Sequence, residues 1–513
     1  MSISKRSVDH KRRSLLRAGA VGAMMPFMPV EAFAQSEDGA ADTFPPGAVA
    51  LTQVLSQFVA GASYDKLPAD AVMAAKRGIL DTLGVVLAAN QEQVATIIRR
   101  YVRGEGGDPV ATVLTGGFQT DAGLAALANG TMAHALDYDN VIHAESVWLG
   151  HPSVVILPAA LAAAEERKLS GKDLILGYCL GLEIYTKVGL ICGDQAYQNG
   201  WHNTSYIGTV AAAGTVARLY GLPEPLIEQC FGIAGSMAGG MRQNFGTMTK
   251  PLHAGLAARN GIQAATLAQA GLTASQHIFE ATLGFRNIFS GSRGAITNDI
   301  PYGYGTITLD VFRSKLGAPW SVASPGLSYK ICPSCRDSNY GMEAGLAFRR
   351  AKPFDVQQID KIVCHVPRQM GDVLFYHDPK KGLEGKFSLE YVLARTLLDG
   401  VPKISDFTDT RVNQPEAQAL IRKMKWVTFE ASKDQHGIPD FTINARDGQI
   451  FRVRPVHLTG EAENPVSNAF LTDKFKDCAS HAVTAEQADR IAKLTFDLEN
   501  VQSVAELTGL MRT

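Results

Sequence analysis

The 513-residue sequence predicts a mainly α protein with an α+β part: a large all-helical domain into which a mixed lobe is inserted. Three observations carry this. Helical periodicity runs from about residue 50 to 290. Short alternating strands and a hairpin signal follow after about 325. From about 463 the pattern is helical again. A hydrophobic fraction of 46% and a charged fraction of 19% suit a large core and argue against a disordered chain.

Residues 1–34 read as an export signal. Arg12-Arg13-Ser14-Leu15-Leu16-Arg17 is a twin-arginine pattern, an apolar stretch runs from Ala18 to Val30, and Ala32-Phe33-Ala34 is a cleavage-type site. Pro26 and Pro29 break that stretch, which is too short to span a bilayer. The expected location is therefore the periplasm, with no membrane attachment after cleavage. Removal takes away Lys5, Arg6, Lys11, Arg12, Arg13 and Arg17 with Asp9 and Glu31, changing the net charge from −1 to −5. No cationic excess speaks for a nucleic-acid partner. Seven cysteines are too few for a disulfide scaffold.

Residues 35–49, with Pro45-Pro46, read as a linker. In the helical part, 50–328, Pro68 opens a segment with Val72, Ile79, Leu83 and Val86 at helical spacing. Thr120 is a candidate cap for the helix carrying Ala125, Leu127, Ala128, Met132 and Ala135. The runs 154–167, 173–188, 208–220 and 251–271 are rich in Ala and Gly, which lets helix axes approach closely. In the mixed lobe, 329–462, strands are expected at 362–366, 426–429, 441–444 and 450–453, the last two joined by Arg446-Asp447-Gly448-Gln449. Helices are expected between them at 340–349, 389–398 and 415–424. The return, 463–513, holds helical runs at 484–494, with Thr484 as N-cap, and at 501–511.

Three places share one design. His151-Pro152-Ser153, Trp201-His202-Asn203 and Lys250-Pro251-Leu252-His253 each stand at the start of a helical run. A helix N-terminus disfavours a neighbouring cation, keeps an imidazole neutral and attracts carboxylates. If His151, His202 and Lys250 converge, they suit a substrate with several carboxylates. Asp137 is spaced with Gly130 and His134 along one helical face near a C-terminus, where an acid needs a partner such as His134 or a cation. Cys332-Pro333-Ser334-Cys335 permits a redox pair or half a zinc site, but no second such motif exists. Phosphate-loop, dinucleotide, nucleophile-elbow and zincin motifs are absent from the sequence.

The ordered set Leu80-Asp81-Thr82-Leu83-Gly84, Asn129-Gly130…His134…Asp137-Tyr138-Asp139, His151-Pro152-Ser153, Gly200-Trp201-His202, Lys250-Pro251-Leu252-His253-Ala254-Gly255, Tyr329-Lys330…Pro333-Ser334-Cys335-Arg336 and Phe387-Ser388…Tyr391 resembles the MmgE/PrpD family over about 50–513. That family includes 2-methylcitrate dehydratase, cis-aconitate decarboxylase and an iminodisuccinate epimerase. The resemblance implies a helical domain with an α+β lid, a homodimer, a cleft active site, and no metal or organic cofactor. It implies a lyase of small di- or tricarboxylates, or an epimerase on the same fold; a carboxylate-binding protein with decayed chemistry is the non-enzymatic alternative. Carried over by position, His202, His151, Asp137 and Lys250 are the expected catalytic residues. Lys330, Arg336, Tyr391 and His253 are the expected substrate-binding ones. Asn339 stands where the family commonly has a histidine, and an amide does not shuttle protons at neutral pH.

Overall fold

A computed structural model describes residues 47–351, 356–430 and 437–513. The proposed signal and most of the linker lie outside the described residues. Two hydrophobic cores form. The first draws on residues from Leu51 to Tyr329 and again from Val466 to Met511. The second draws on residues from Cys332 to Leu458, joined by Phe245.

The first core is a packed set of helices: Ala69–Ala88, Ala122–Ala133, Ser153–Glu166, Gly171–Cys192, Asn203–Leu219, Glu224–Met237 and Thr249–Gln269. The Gly171–Cys192 helix is long and apolar enough to cross a membrane by length and composition, yet its apolar stretch is wholly buried. A helix hydrophobic all round belongs in the middle of a large core. The C-terminal helices Asn468–Ala479 and Ala485–Phe496 return to this core, and the second is capped by Thr484 through a capping box with Gln487. Beyond it only the short Ala505–Gly509 turn is α-helical, less than the run expected at 501–511. The helix Ala122–Ala133 is capped by Asp121, not Thr120: the Asp121 carboxylate accepts from Leu124 N–H, while the Thr120 hydroxyl is spent on Gly106 O.

In the second lobe a four-stranded sheet has Ile359–Pro367 paired in parallel with Met424–Phe429 and antiparallel with Asp440–Ala445, which pairs with Ile450–Val453 as the expected hairpin. The parallel pair requires a long crossover, which contains the helices Leu389–Asp399 and Pro415–Ile421. Cys364 is buried in the sheet while its neighbour His365 turns outward to Asp440, as the two-residue period dictates.

Small residues set how closely the first-core helices meet. A Cβ on Gly255 would lie 2.2 Å from Leu127 O and 2.3 Å from Thr131 Oγ1, and one on Gly130 would lie 2.9 Å from Gly255 Cα. The helices Ala122–Ala133 and Thr249–Gln269 therefore cross backbone to backbone. Alanine has the better helix propensity by about 1 kcal/mol, but here it has no room. Gly255→Ala is expected to destabilise the protein by about 1–3 kcal/mol through overpacking, read as a lowered thermal midpoint. An unchanged or raised midpoint would contradict this packing.

Candidate active site

The centre of the site is the segment that leaves the helix Ala122–Ala133. That helix ends at His134, its C-cap, so Gly130, His134 and Asp137 do not share a helical face as their spacing suggested. Asp137 instead takes a left-handed conformation (φ 52°), one that aspartate tolerates better than most residues. The turn buries two carboxylates two residues apart, Asp137 and Asp139.

Asp137 is held by lysines. Lys330 Nζ donates to Asp137 Oδ1 at 2.7 Å and to its carbonyl at 2.8 Å. Lys250 Nζ forms an ion pair with Oδ2 at 2.8 Å. Burial alone would raise this carboxyl, but Lys250 and Lys330 outweigh it, with His151 and His134 adding to their effect, and hold it well below the usual range. Lys250 Nζ also lies 5.3 Å from the Phe245 ring centre and 5.0 Å from that of Phe387, so its ammonium sits over two aromatic faces.

Asp139 holds imidazoles. Its Oδ1 lies 3.0 Å from His134 Nδ1 and its Oδ2 lies 2.6 Å from His151 Nδ1. Burial would raise this carboxyl too; the two rings beside it outweigh burial and keep it ionised. An ionised carboxylate only accepts, so both rings carry their proton on Nδ1 and leave Nε2 bare. His151 Nε2 then faces Asp137 Oδ1 at 3.7 Å. His134 Nε2 is buried without a protein partner among the described residues.

The remaining histidines extend the row. His202 is the N-cap of Asn203–Leu219, and His253 lies in the first turns of Thr249–Gln269. Their Nδ1 atoms are 3.1 Å apart. One must donate and the other accept, so the two rings hold opposite tautomers and one of them carries its proton on Nε2. Ring centres run 4.5 Å from His151 to His134, 5.9 Å from His134 to His202 and 5.3 Å from His202 to His253. Burial is the main force on all four: it pushes His151 down to about 3 and His253 to about 4, and lowers His134 and, strongly, His202. Neighbouring cations, Lys330 on His151 and Lys250 on the other three, act in the same direction.

The structure thus brings Asp137, His151, His202, Lys250, His253 and Lys330 into one buried cluster. It does not bring Tyr391 there, and Arg336 lies to one side, lining a small cavity with Lys330. The Arg336 guanidinium pairs with Glu461 and lies near Asp337, and the Tyr391 hydroxyl is donated to Asp406 O inside the second core. Both are correctly spaced in sequence, but each spends its polar head elsewhere. Asn339 is buried and donates to Cys335 O at 2.9 Å. Burial pushes the Cys332 and Cys335 thiols up to about 12, so neither is a thiolate at neutral pH and the redox reading loses its nucleophile.

Two contributors were not singled out by sequence reasoning, Asp139 as the orienting acid and Lys386, while His134, expected as a partner of Asp137, pairs with Asp139 instead. Lys386 is buried, comes from the second lobe and reaches Ala135 O at 3.4 Å. Its place directly before Phe387-Ser388 was the available signal. His134, Asp137, Asp139 and His151 keep their ligand atoms within 4.8 Å of one another, a donor set that suits a dication. Yet Lys250 and Lys330 already sit on Asp137, and Asp139 is committed to two N–H groups, so an added cation would meet two ammoniums.

Residues 53–296 match the MmgE/PrpD N-terminal domain and residues 332–499 the MmgE/PrpD C-terminal domain. Among similar proteins, cis-aconitate decarboxylase of Homo sapiens is 27% identical over 486 residues, covering 90% of this chain and 94% of that protein. The mouse (Mus musculus) cis-aconitate decarboxylase is 26% identical, covering 90% and 93%. Cis-aconitate decarboxylase of Aspergillus terreus is 26% identical, covering 90% and 96%.

Two outcomes follow from the protonation pattern. The unfolded chain binds protons on its histidines near 6.5, whereas these four rings resist protonation in the fold. The unfolded state therefore binds more protons below that point, and stability rises with pH across the window. Asp137 and Asp139, depressed in the fold, add stability that is present above about 3.9 and lost below it, with the same sign. The unfolding free energy from urea titration is expected to fall as the pH is lowered from 7.5 to 5, by up to about 2 kcal/mol per imidazole; a flat profile would contradict neutral buried rings. Asp139→Asn places an amide N–H against one ring and forces that ring into the other tautomer. Its expected effect is a loss of turnover of about 100-fold or more with the fold retained, checked by steady-state rates beside circular dichroism.

Proposed function

The chain belongs to the MmgE/PrpD family, and from that premise we propose that it is a lyase of small polycarboxylates that decarboxylates an aconitate-like acid without a cofactor. The observation that carries this reading is the division of labour in the cluster. Ammonium groups supply the positive charge, while the imidazoles beside them are neutral and tautomerically ordered. Lysines fixed in a buried cleft bind carboxylates and meet charge that builds on them during reaction, the electrostatic contribution that is usually largest in catalysis.

The chemistry then needs a proton at the right moment. A bound polyanion adds negative charge beside the rings and raises their proton affinity. A ring that is neutral in the empty cleft takes up a proton together with the substrate. In decarboxylation the carbon–carboxylate bond breaks and carbon dioxide leaves. The freed pair becomes the new double bond, and the displaced alkene pair takes the proton from an imidazolium. His202 is the assigned donor. The shared Nδ1 proton of the His202–His253 pair lets it be reloaded through His253. Dehydration would use the same parts in the other sense, a bare Nε2 of His151 accepting a C–H proton next to a carboxylate.

The test is incubation of the purified protein with cis-aconitate in deuterated buffer, followed by proton NMR. Carbon dioxide and a five-carbon dicarboxylate carrying one deuterium are expected. His202→Ala should cut turnover at least about 100-fold with the fold intact. Near-wild-type activity in that variant would remove His202 from its role. Deuterium exchange into saturated polycarboxylates with neither carbon dioxide nor a new alkene would replace the lyase with an isomerase.

A further inference from the structure

The third lysine of the cleft stands apart from the other two. Lys250 and Lys330 each pair with Asp137 at 2.7–2.8 Å. Lys386 is 4% exposed, yet its hydrogen bond to the Ala135 carbonyl is long, at 3.4 Å, and no carboxylate pairs with it among the described residues. A buried ammonium has three donors to satisfy, and burying one without a counter-charge is costly. Burial lowers its proton affinity; Glu92 and then Asp137 oppose this from beyond ion-pair distance, and Lys250 and Lys330 lower it further.

Its position is fixed from the backbone. The Lys386 carbonyl accepts from Cys335 N–H at 2.9 Å, and its amide N–H donates to Gly382 O at the end of the short turn Gly382–Gly385. The next residue, Phe387, lies over Lys250. Lys386 therefore reaches from the second lobe over the His134–Asp137 turn of the first. Glu92 and Asp137 favour a cation there only from a distance, whereas an apolar residue of the same length would carry no desolvation cost. An anion supplied from outside the protein gives a reason to keep the cation.

We propose that Lys386 is a specificity-determining residue that reads the third carboxylate of a tricarboxylate substrate. Lys250 and Lys330 take the two carboxylates common to di- and tricarboxylates, sharing them with Asp137. Lys386 completes its donors only when a third carboxylate enters. The inference rests on the polycarboxylate reading given above and narrows it to three carboxylates.

Tricarballylate and glutarate test it, because they share one carbon chain and differ by the middle carboxylate, and neither has an alkene to react. Calorimetric titration of the wild-type protein should show tricarballylate binding at least about 10-fold tighter than glutarate. In Lys386→Met that preference should vanish: tricarballylate weakens about 10-fold or more, the scale of one charged hydrogen-bonded contact, while glutarate changes less than about 3-fold. The thermal midpoint of ligand-free Lys386→Met should equal or exceed that of the wild type. Lys386→Gln carries the same comparison if the Met variant does not fold. Equal weakening of both ligands, or an unchanged preference, overturns the role of Lys386 while leaving the polycarboxylate reading in place. A wild-type protein that binds neither acid overturns both.

Discussion

Two carboxylates two residues apart, buried on one turn and committed to different partners, are the constraint on which the rest of the site depends. Asp137 faces ammoniums and Asp139 faces imidazoles. If both carboxylates faced the same groups, the cations and the bases would compete for one acceptor. Asp137 is left-handed in this turn, and its carboxylate keeps its own lysine partners although it lies within 4.8 Å of that of Asp139. Each acid is kept ionised by its own partners against the pull of burial. Positive charge is thereby placed beside Asp137, and proton affinity on groups that can be adjusted by a ligand.

Such a turn would not hold its shape unaided, and the surrounding fold supplies the bracing. Lys474, from the C-terminal return, donates to Tyr138 O and Lys330 O at 2.9 Å and to Asp81 Oδ1 at 2.7 Å. Asp81 Oδ2 accepts from Asn140 Nδ2 at 2.9 Å, and Asn140 Oδ1 accepts from the Ser153 hydroxyl at 2.6 Å. Two helices and the far end of the chain thus fix the backbone on both sides of Asp139 and behind Lys330. Tight helix crossings at Gly130 and Gly255 bring Lys250 and His253 to the same place. Catalytic groups held by packed helices and second hydrogen bonds stay within the narrow tolerances that proton transfer needs.

Much of this was legible in the sequence because it is local. Histidine or lysine at the start of a helical run is a pattern of nearby residues, and His151, His202, Lys250 and His253 all reach the cluster. Strands and the Asp447-Gly448 hairpin were legible for the same reason. What escaped depended on partners far along the chain. Asp139 was given no role because nothing local shows that His151, twelve residues on, closes back upon it. Lys386 lies in another lobe, 251 residues from the carbonyl it touches. Arg336 and Tyr391 carried the right chemistry in the right order, but Glu461 and Asp406 claim their polar heads. Helix-end electrostatics pointed to neutral imidazoles, while the structure assigns that neutrality first to burial.

The central claim is that the cleft keeps its positive charge on lysines and its histidines neutral, with His134 and His151 protonated on Nδ1. Nitrogen-15 NMR of histidine-labelled protein reads charge and tautomer directly. At pH 6 the account predicts that the signals of His134 and His151, assigned by their loss in single variants, show a protonated Nδ1 and an unprotonated Nε2. Imidazolium signals from these two rings, titrating near the ordinary histidine value, would contradict it.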